Sequence, residues 1–255
     1  MSRKAMGRIG EMFLVTATVF IIAVCLISGL PDIADSSDRK MADTLVNLLG
    51  EKFSPESLEV TVNGSSAYAE MRGVVLSGIR IDTMKLDALL VNADQVEGKD
   101  VKFLASLIGY SKGELILLER DVNAYFDSND TRGFSNLVFN FTPDGFRADG
   151  IFTASMLITF RIRLAALGRL ALKSDGVNLD DVSIYVENVK QPSALTNHIL
   201  SRVNPLIEWD SIPFKVTFKE IRMDEDSAVM TGYPERVTGG ATSVWAAEKQ
   251  EETSK

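Results

Sequence analysis

Thiol and imidazole are almost missing from this chain: Cys25 is the one cysteine and His198 the one histidine in 255 residues. No intramolecular disulfide can form, so a packed core alone must hold the fold in any compartment. Metal centres built from several histidines or cysteines are excluded for the same reason. Cations are also short, because 27 Lys and Arg face 35 Asp and Glu for a net charge of −8. Binding a phosphate backbone needs clustered Lys and Arg, so nucleic acid is not an expected partner. Broad electrostatic adhesion to an anionic membrane is disfavoured too, which leaves apolar contact as the route to any lipid.

Catalytic signatures are equally scarce. There is no G-x-S-x-G elbow, no Walker loop and no dinucleotide fingerprint. Asp180-Asp181 and Asp224-Glu225-Asp226 fall where turns are expected and lack calcium-loop spacing, so they read as solvated turns. His198 stands beside Ile199 on a predicted helix and reads as an exposed or helix-end residue rather than a base. The triplets beginning at Asn63, Asn129 and Asn140 satisfy the glycosylation pattern, but such triplets arise often by chance. No cofactor and no metal is expected, and the chain is not expected to be an enzyme.

What the chain has in quantity is apolar sequence. Met12 to Leu30 is an uncharged run of 19 residues, with Arg3, Lys4 and Arg8 before it and Asp32, Asp35 and Asp38 after it. As a helix it would reach about 28 Å, close to the hydrocarbon thickness of a bilayer. The basic side should stay in the cytoplasm, so the chain from Pro31 onward is expected on the outer side of that membrane. Ser28-Gly29-Leu30-Pro31 is a poor cleavage site, and the run is longer than most secretory h-regions. Residues 1–30 are therefore an anchor, or a signal sequence if cut. Val24-Cys25 is not a lipoprotein box, since Val24 is branched and the apolar run continues beyond Cys25.

The rest divides by periodicity. Removing Arg3, Lys4, Arg8 and Glu11 from the totals leaves 24 basic and 34 acidic side chains beyond Pro31. Residues 31–234 suit one domain, with no Gly/Ser/Pro-rich linker to divide them. Met41, Leu45, Leu48, Leu49 and Phe53 make one helical stripe. From Leu58 the period becomes two. Leu58, Val60 and Val62 lead to an Asn63-Gly64 turn, Ile79 to Leu90 is further strand, and Leu137, Phe139 and Phe141 lead to the Pro143-Asp144-Gly145 turn. Met156, Ile158, Phe160, Ile162 and Leu164 alternate with Leu157, Thr159, Arg161 and Arg163 as one long strand with an apolar and a mostly polar face. Short helices are predicted over residues 121–126 and from Pro192 to about Leu206, with Asn204-Pro205 bending or ending the second. Ile212-Pro213 opens a last hairpin in which Phe214, Val216 and Phe218 alternate, and Glu235 to Lys255 reads as a disordered tail with Trp245 its one large anchor. Short strands joined by tight turns favour antiparallel pairing, so the fold class is α+β dominated by antiparallel sheet.

In this order of elements, Glu119-Arg120-Asp121-Val122-Asn123-Ala124-Tyr125-Phe126 follows a strand. An Asn204-Pro205-Leu206 helix end is then followed by Ile212-Pro213 and a hairpin closing on Val229-Met230-Thr231-Gly232. Over residues 35–234 this order resembles the LmeA-type phospholipid-binding envelope family. The resemblance implies a strongly twisted antiparallel sheet wrapped around a long helix, similar to tubular lipid-binding domains. It also implies binding of phospholipid, without chemistry, in envelope maintenance or lipid handling. Alternation supplies the candidate cavity wall: Met156, Ile158, Phe160, Ile162 and Leu164, with Phe139 and Phe141 beside them and Ile199 and Val203 opposite. The expected partners are a phospholipid or other acyl lipid and the membrane holding residues 12–30. Two other readings remain: a structural protein that docks envelope partners around a solid core, and a hydrolase with two converging carboxylates.

Overall fold

The computed structural model describes residues 36–91, 103–128, 133–155 and 159–246. The run from Met12 to Leu30 lies outside them, and none of the described helices is long and apolar enough to cross a membrane. Helix α1 (Ser36–Phe53) buries the whole predicted stripe of Met41, Leu45, Leu48, Leu49 and Phe53. Four strands follow it: β1 (Ser57–Asn63), β2 (Ser66–Leu76), β3 (Ile79–Leu90) and β4 (Ile108–Leu118). Next come β5 (Phe134–Thr142), β6 (Gly145–Ser155), β7 (Thr159–Leu172), β8 (Gly176–Val186) and β9 (Val189–Lys190). The last four are β10 (Ile207–Glu208), β11 (Glu220–Asp224), β12 (Ser227–Thr231) and β13 (Ala241–Ala246). Three short helices, α2 (Leu104–Leu107), α3 (Glu119–Ser128) and α4 (Ser193–Leu200), interrupt them.

Among the described residues these strands form two sheets, in the orders β11-β12-β4-β3-β2-β1-β13 and β10-β8-β7-β6-β5, with β9 folded onto β8. Pairing between the strands is antiparallel, as tight turns require. One buried apolar cluster runs through both sheets and α1. The protein is thus α+β and sheet-rich. Helix α1 packs mainly on β1 and β13 at one end of the first sheet. A sheet wound around a long helix is not shown by the described contacts.

Helix α3 joins the sheets with its side chains. Glu119 and Asn123 are four residues apart and share one helix face. Asn123 donates from Nδ2 to the Phe139 carbonyl at 2.9 Å and accepts from the Phe139 N–H at 2.7 Å, while the Phe141 N–H donates to Glu119 Oε2 at 2.5 Å. These groups take the place of a neighbouring strand along β5, the outer strand of its sheet. The other face of α3 presents Asp121 to Arg80 on β3 at 3.2 Å. Arg80 also pairs with Glu56 at 2.9 Å and Asp82 at 3.6 Å. The hydrogen bond from Arg80 lowers the Glu56 carboxyl below its usual range, and Glu56 in turn raises the guanidinium.

Three predicted elements differ in the structure. The tail does not begin at Glu235, because Ala241–Ala246 pairs along β1 as β13. Its small and polar residues hid the strand. What secures it is Trp245, whose ring lies over Gly50 of α1 so closely that a Cβ on that glycine would stand 2.5 Å from Cε3. Phe214 to Phe218 is not a strand, and the final hairpin is β11–β12. Thr217 forms only a parallel bridge to Lys112. The strand predicted from Met156 to Leu164 is β7, which begins at Thr159 and continues to Leu172. Ser155 and Thr159 are the last pair that joins it to β6.

Replacing Asn123 by Ala removes both partners of Phe139, and a buried amide group left unmet costs about 1–3 kcal/mol. Asn123→Ala should therefore lower the urea midpoint without changing the slope of the transition.

Candidate functional site

An apolar space lies between the inner faces of β5 to β8 and helix α4. Phe139, Leu164, Leu179, Ile184, Ile199 and Val203 are among its walls. Its free volume is about 30 Å³. That is roughly the share of one water molecule in the liquid, whereas ligand pockets usually run to about 300–1,000 Å³. Ring contacts fill much of the rest, with Phe139 stacked on Phe126 of α3 at 5.2 Å and tilted against Phe146 at 5.4 Å.

Four of the nine residues proposed from alternation meet at this space: Phe139 and Leu164 from the sheet, Ile199 and Val203 from the opposite side. Phe141 is buried on β5 without bordering it, and Ile162 is half-buried away from it. Phe160 is on β7 opposite Ala154, and Met156 and Ile158 lie outside the described residues. Helix α4 covers the space with few contacts of its own, since only Thr196 and Ile199 of its eight residues are buried.

The chain leaving α4 is held by a second side-chain amide. Asn204 donates from Nδ2 to the Leu179 carbonyl and accepts from the Leu179 N–H, both at 2.8 Å. The Asn204–Pro205 peptide bond is cis. The two Asn204 hydrogen bonds hold Val203 against the space, and the chain continues into β10, which pairs with β8 from Ile207. Beyond Val203 lies a cleft of about 170 Å³ lined by Ser77, Tyr125, Phe126, Arg202 and Glu208. Arg202 borders it, with its guanidinium 5.6 Å from the centre of the Phe152 ring. Cleft and inner space share Val203 as a wall, so a polar cleft carrying Arg202 and Glu208 adjoins an apolar interior.

Alternation did not point to a larger surface groove of about 660 Å³ bordered by Ile108, Lys173, Trp209, Ile212, Phe214 and Lys215. Trp209 anchors it, donating from Nε1 to the Lys173 carbonyl at 2.9 Å and stacking on Phe218 at 5.0 Å. Its sequence signal was Pro213 directly before an apolar alternation, which argues against a fully paired strand.

The acidic groups singled out in the sequence are engaged elsewhere. Asp180 pairs with Lys173 at 2.6 Å and Asp224 with Arg222 at 3.0 Å. Asp181 sits in the left-handed region at φ 50°, where β8 slips register against β7. His198 is exposed on the last turn of α4. Among the described residues no three His, Cys, Asp or Glu side chains gather as metal ligands.

The profile of the LmeA-like phospholipid-binding family matches residues 37–232. No curated protein and no solved structure matches the chain. Removing a buried isoleucine side chain beyond Cβ leaves a cavity and costs about 2–5 kcal/mol. Ile199→Ala should accordingly lower the melting temperature far more than His198→Ala, as read by thermal unfolding.

Proposed function

The chain belongs to the LmeA-like phospholipid-binding family, and from that premise we propose that it binds a phospholipid acyl chain without chemistry. In this reading Met12 to Leu30 holds the domain at the outer face of the cytoplasmic membrane, in support of envelope maintenance or lipid handling. The observation that carries it is the wholly apolar space bounded by Phe139, Leu164, Ile199 and Val203. It lies under an eight-residue helix and beside the cleft that holds Arg202.

At about 30 Å³ the space admits an acyl chain only when α4 swings outward. A helix this short has little stability of its own and is kept in place by packing. Each methylene that replaces it gains roughly 0.8 kcal/mol, so a few methylenes offset the loss of Ile199 burial. In this reading Arg202, which borders the cleft together with Glu208, is the cation that a phosphate headgroup would meet by charge-assisted hydrogen bonds. The same close packing favours a second reading, in which the interior is plain core and the domain docks envelope partners.

Native mass spectrometry of the full chain taken from membranes separates the two. Lipid binding predicts a phospholipid adduct and uptake of a fluorescent acyl probe. Val203→Phe, which narrows the passage from the cleft, should weaken probe binding about tenfold, or 1.4 kcal/mol, at a temperature where thermal unfolding shows the variant still folded. Absence of both adduct and uptake overturns the proposal in favour of the docking reading.

A further inference from the structure

The outer face of the first sheet changes character along its length. In its middle, Lys85 pairs with Glu114 at 2.8 Å and Lys112 with Asp87 at 3.7 Å, each across β3 and β4. One pair further along, Leu89 faces Tyr110 in register, and past a bulge between Leu89 and Leu90 the Val91 side chain lies over Gly109, the neighbour of Tyr110. Leu89, Tyr110 and Val91 are 48%, 49% and 37% exposed. Side chains directly opposite on antiparallel strands share a face, so the three make one apolar end beyond a charged middle.

That end is also where α1 begins. Asp38 on its first turn accepts from the Gly64 N–H at 3.1 and 3.2 Å, fixing the helix start to the β1–β2 turn. Ser65 of the same turn accepts from the Leu90 N–H at 2.7 Å. Tyr110 is two strands from Ser66, or about 10 Å at the usual spacing. Only Pro31 to Asp35 separates Leu30 from Ser36. Five residues span at most about 18 Å even when fully extended. The Arg80 cluster stands at the other end of β3, roughly 30 Å away at about 3.4 Å per residue.

We infer that Leu89, Val91 and Tyr110 form the surface on which the domain rests against the bilayer, so that this end of the sheet faces the membrane and the Arg80 end points away. The inference rests on the anchoring reading of Met12 to Leu30. A short tether leaves this end no freedom to move far from the interface, and an exposed Leu–Tyr pair gains by insertion there, with Tyr suited to the headgroup level. A net charge of −8 gives the contact no general electrostatic support. It should therefore persist at high salt, which screens charge but not apolar burial.

The test uses the full chain with Cys25→Ser, reconstituted in phosphatidylcholine vesicles. Leu89→Cys carries an environment-sensitive fluorophore, and Val75→Cys, exposed at the far end opposite Arg80, serves as its control. Docking predicts several-fold stronger quenching by doxyl lipids at position 89 than at 75, shielding from aqueous iodide at 89 alone, and no change with added salt. Equal exposure to water at both positions overturns it, as does failure of the chain to float with the vesicles. Native mass spectra of the same samples keep the two proposals apart. A lipid adduct without quenching defeats the docking surface alone, and quenching without an adduct defeats lipid binding alone.

Discussion

A sheet that is not closed into a barrel leaves two rows of unpaired backbone groups, and here the arrangement of the helices follows from meeting that need. Along β5 the partner is a helix face: Asn123 and Glu119 supply the donor and acceptors that another strand would have supplied. Along β8 the amide of Asn204 does the same for Leu179, ahead of the short β10. Glutamate or alanine at either asparagine could not both give and receive, so the amide is the side chain that suits both places.

These two amides also locate the candidate site. Asn123 brings α3 close enough for Phe126 to stack on Phe139, and Asn204 holds Val203 at the boundary between interior and cleft. The site is then framed by rigid pieces on three sides and by α4 on the fourth. Arg80 stands behind the frame, because its ion pairs to Glu56 and Asp121 tie α3 to the first sheet. Its exposure limits what each pair contributes alone, but the three carboxylates share one rigid guanidinium.

Much of this was legible as period. The stripe of α1, the alternation of β1, β3 and β5 and the Asn63-Gly64 and Pro143-Asp144-Gly145 turns all rest on local rules, and local rules operate in the fold as in the sequence. The segments carrying the family resemblance, from Glu119 to Phe126 and at Asn204-Pro205, were visible as strings but not as edge partners. Their meaning lies in contacts with Phe139 and Leu179, which are distant along the chain. Of the residues assigned to a wall, Phe139, Leu164, Ile199 and Val203 converge, while Phe141 does not, although the same period includes it. Alternation reports which face a side chain is on and not how far along the strand a space extends. The strand β13 escaped notice because Ala241, Thr242 and Ser243 are weakly apolar, and only the missing side chain of Gly50 explains where Trp245 goes.

The pairing of β1 with β13 has a consequence for how the protein is made. Thr61 and Thr242 join hydroxyls at 3.0 Å although they stand 181 residues apart in the chain. Contacts so distant in sequence close late, since a long loop must be ordered before they form. During synthesis β1 and the face of α1 around Gly50 thus wait, uncovered, until nearly the whole domain has emerged. A growing chain with a bare strand edge is open to pairing with its neighbours. Shielding of β1 by a chaperone on the side where the domain folds would serve this protein more than faster local folding.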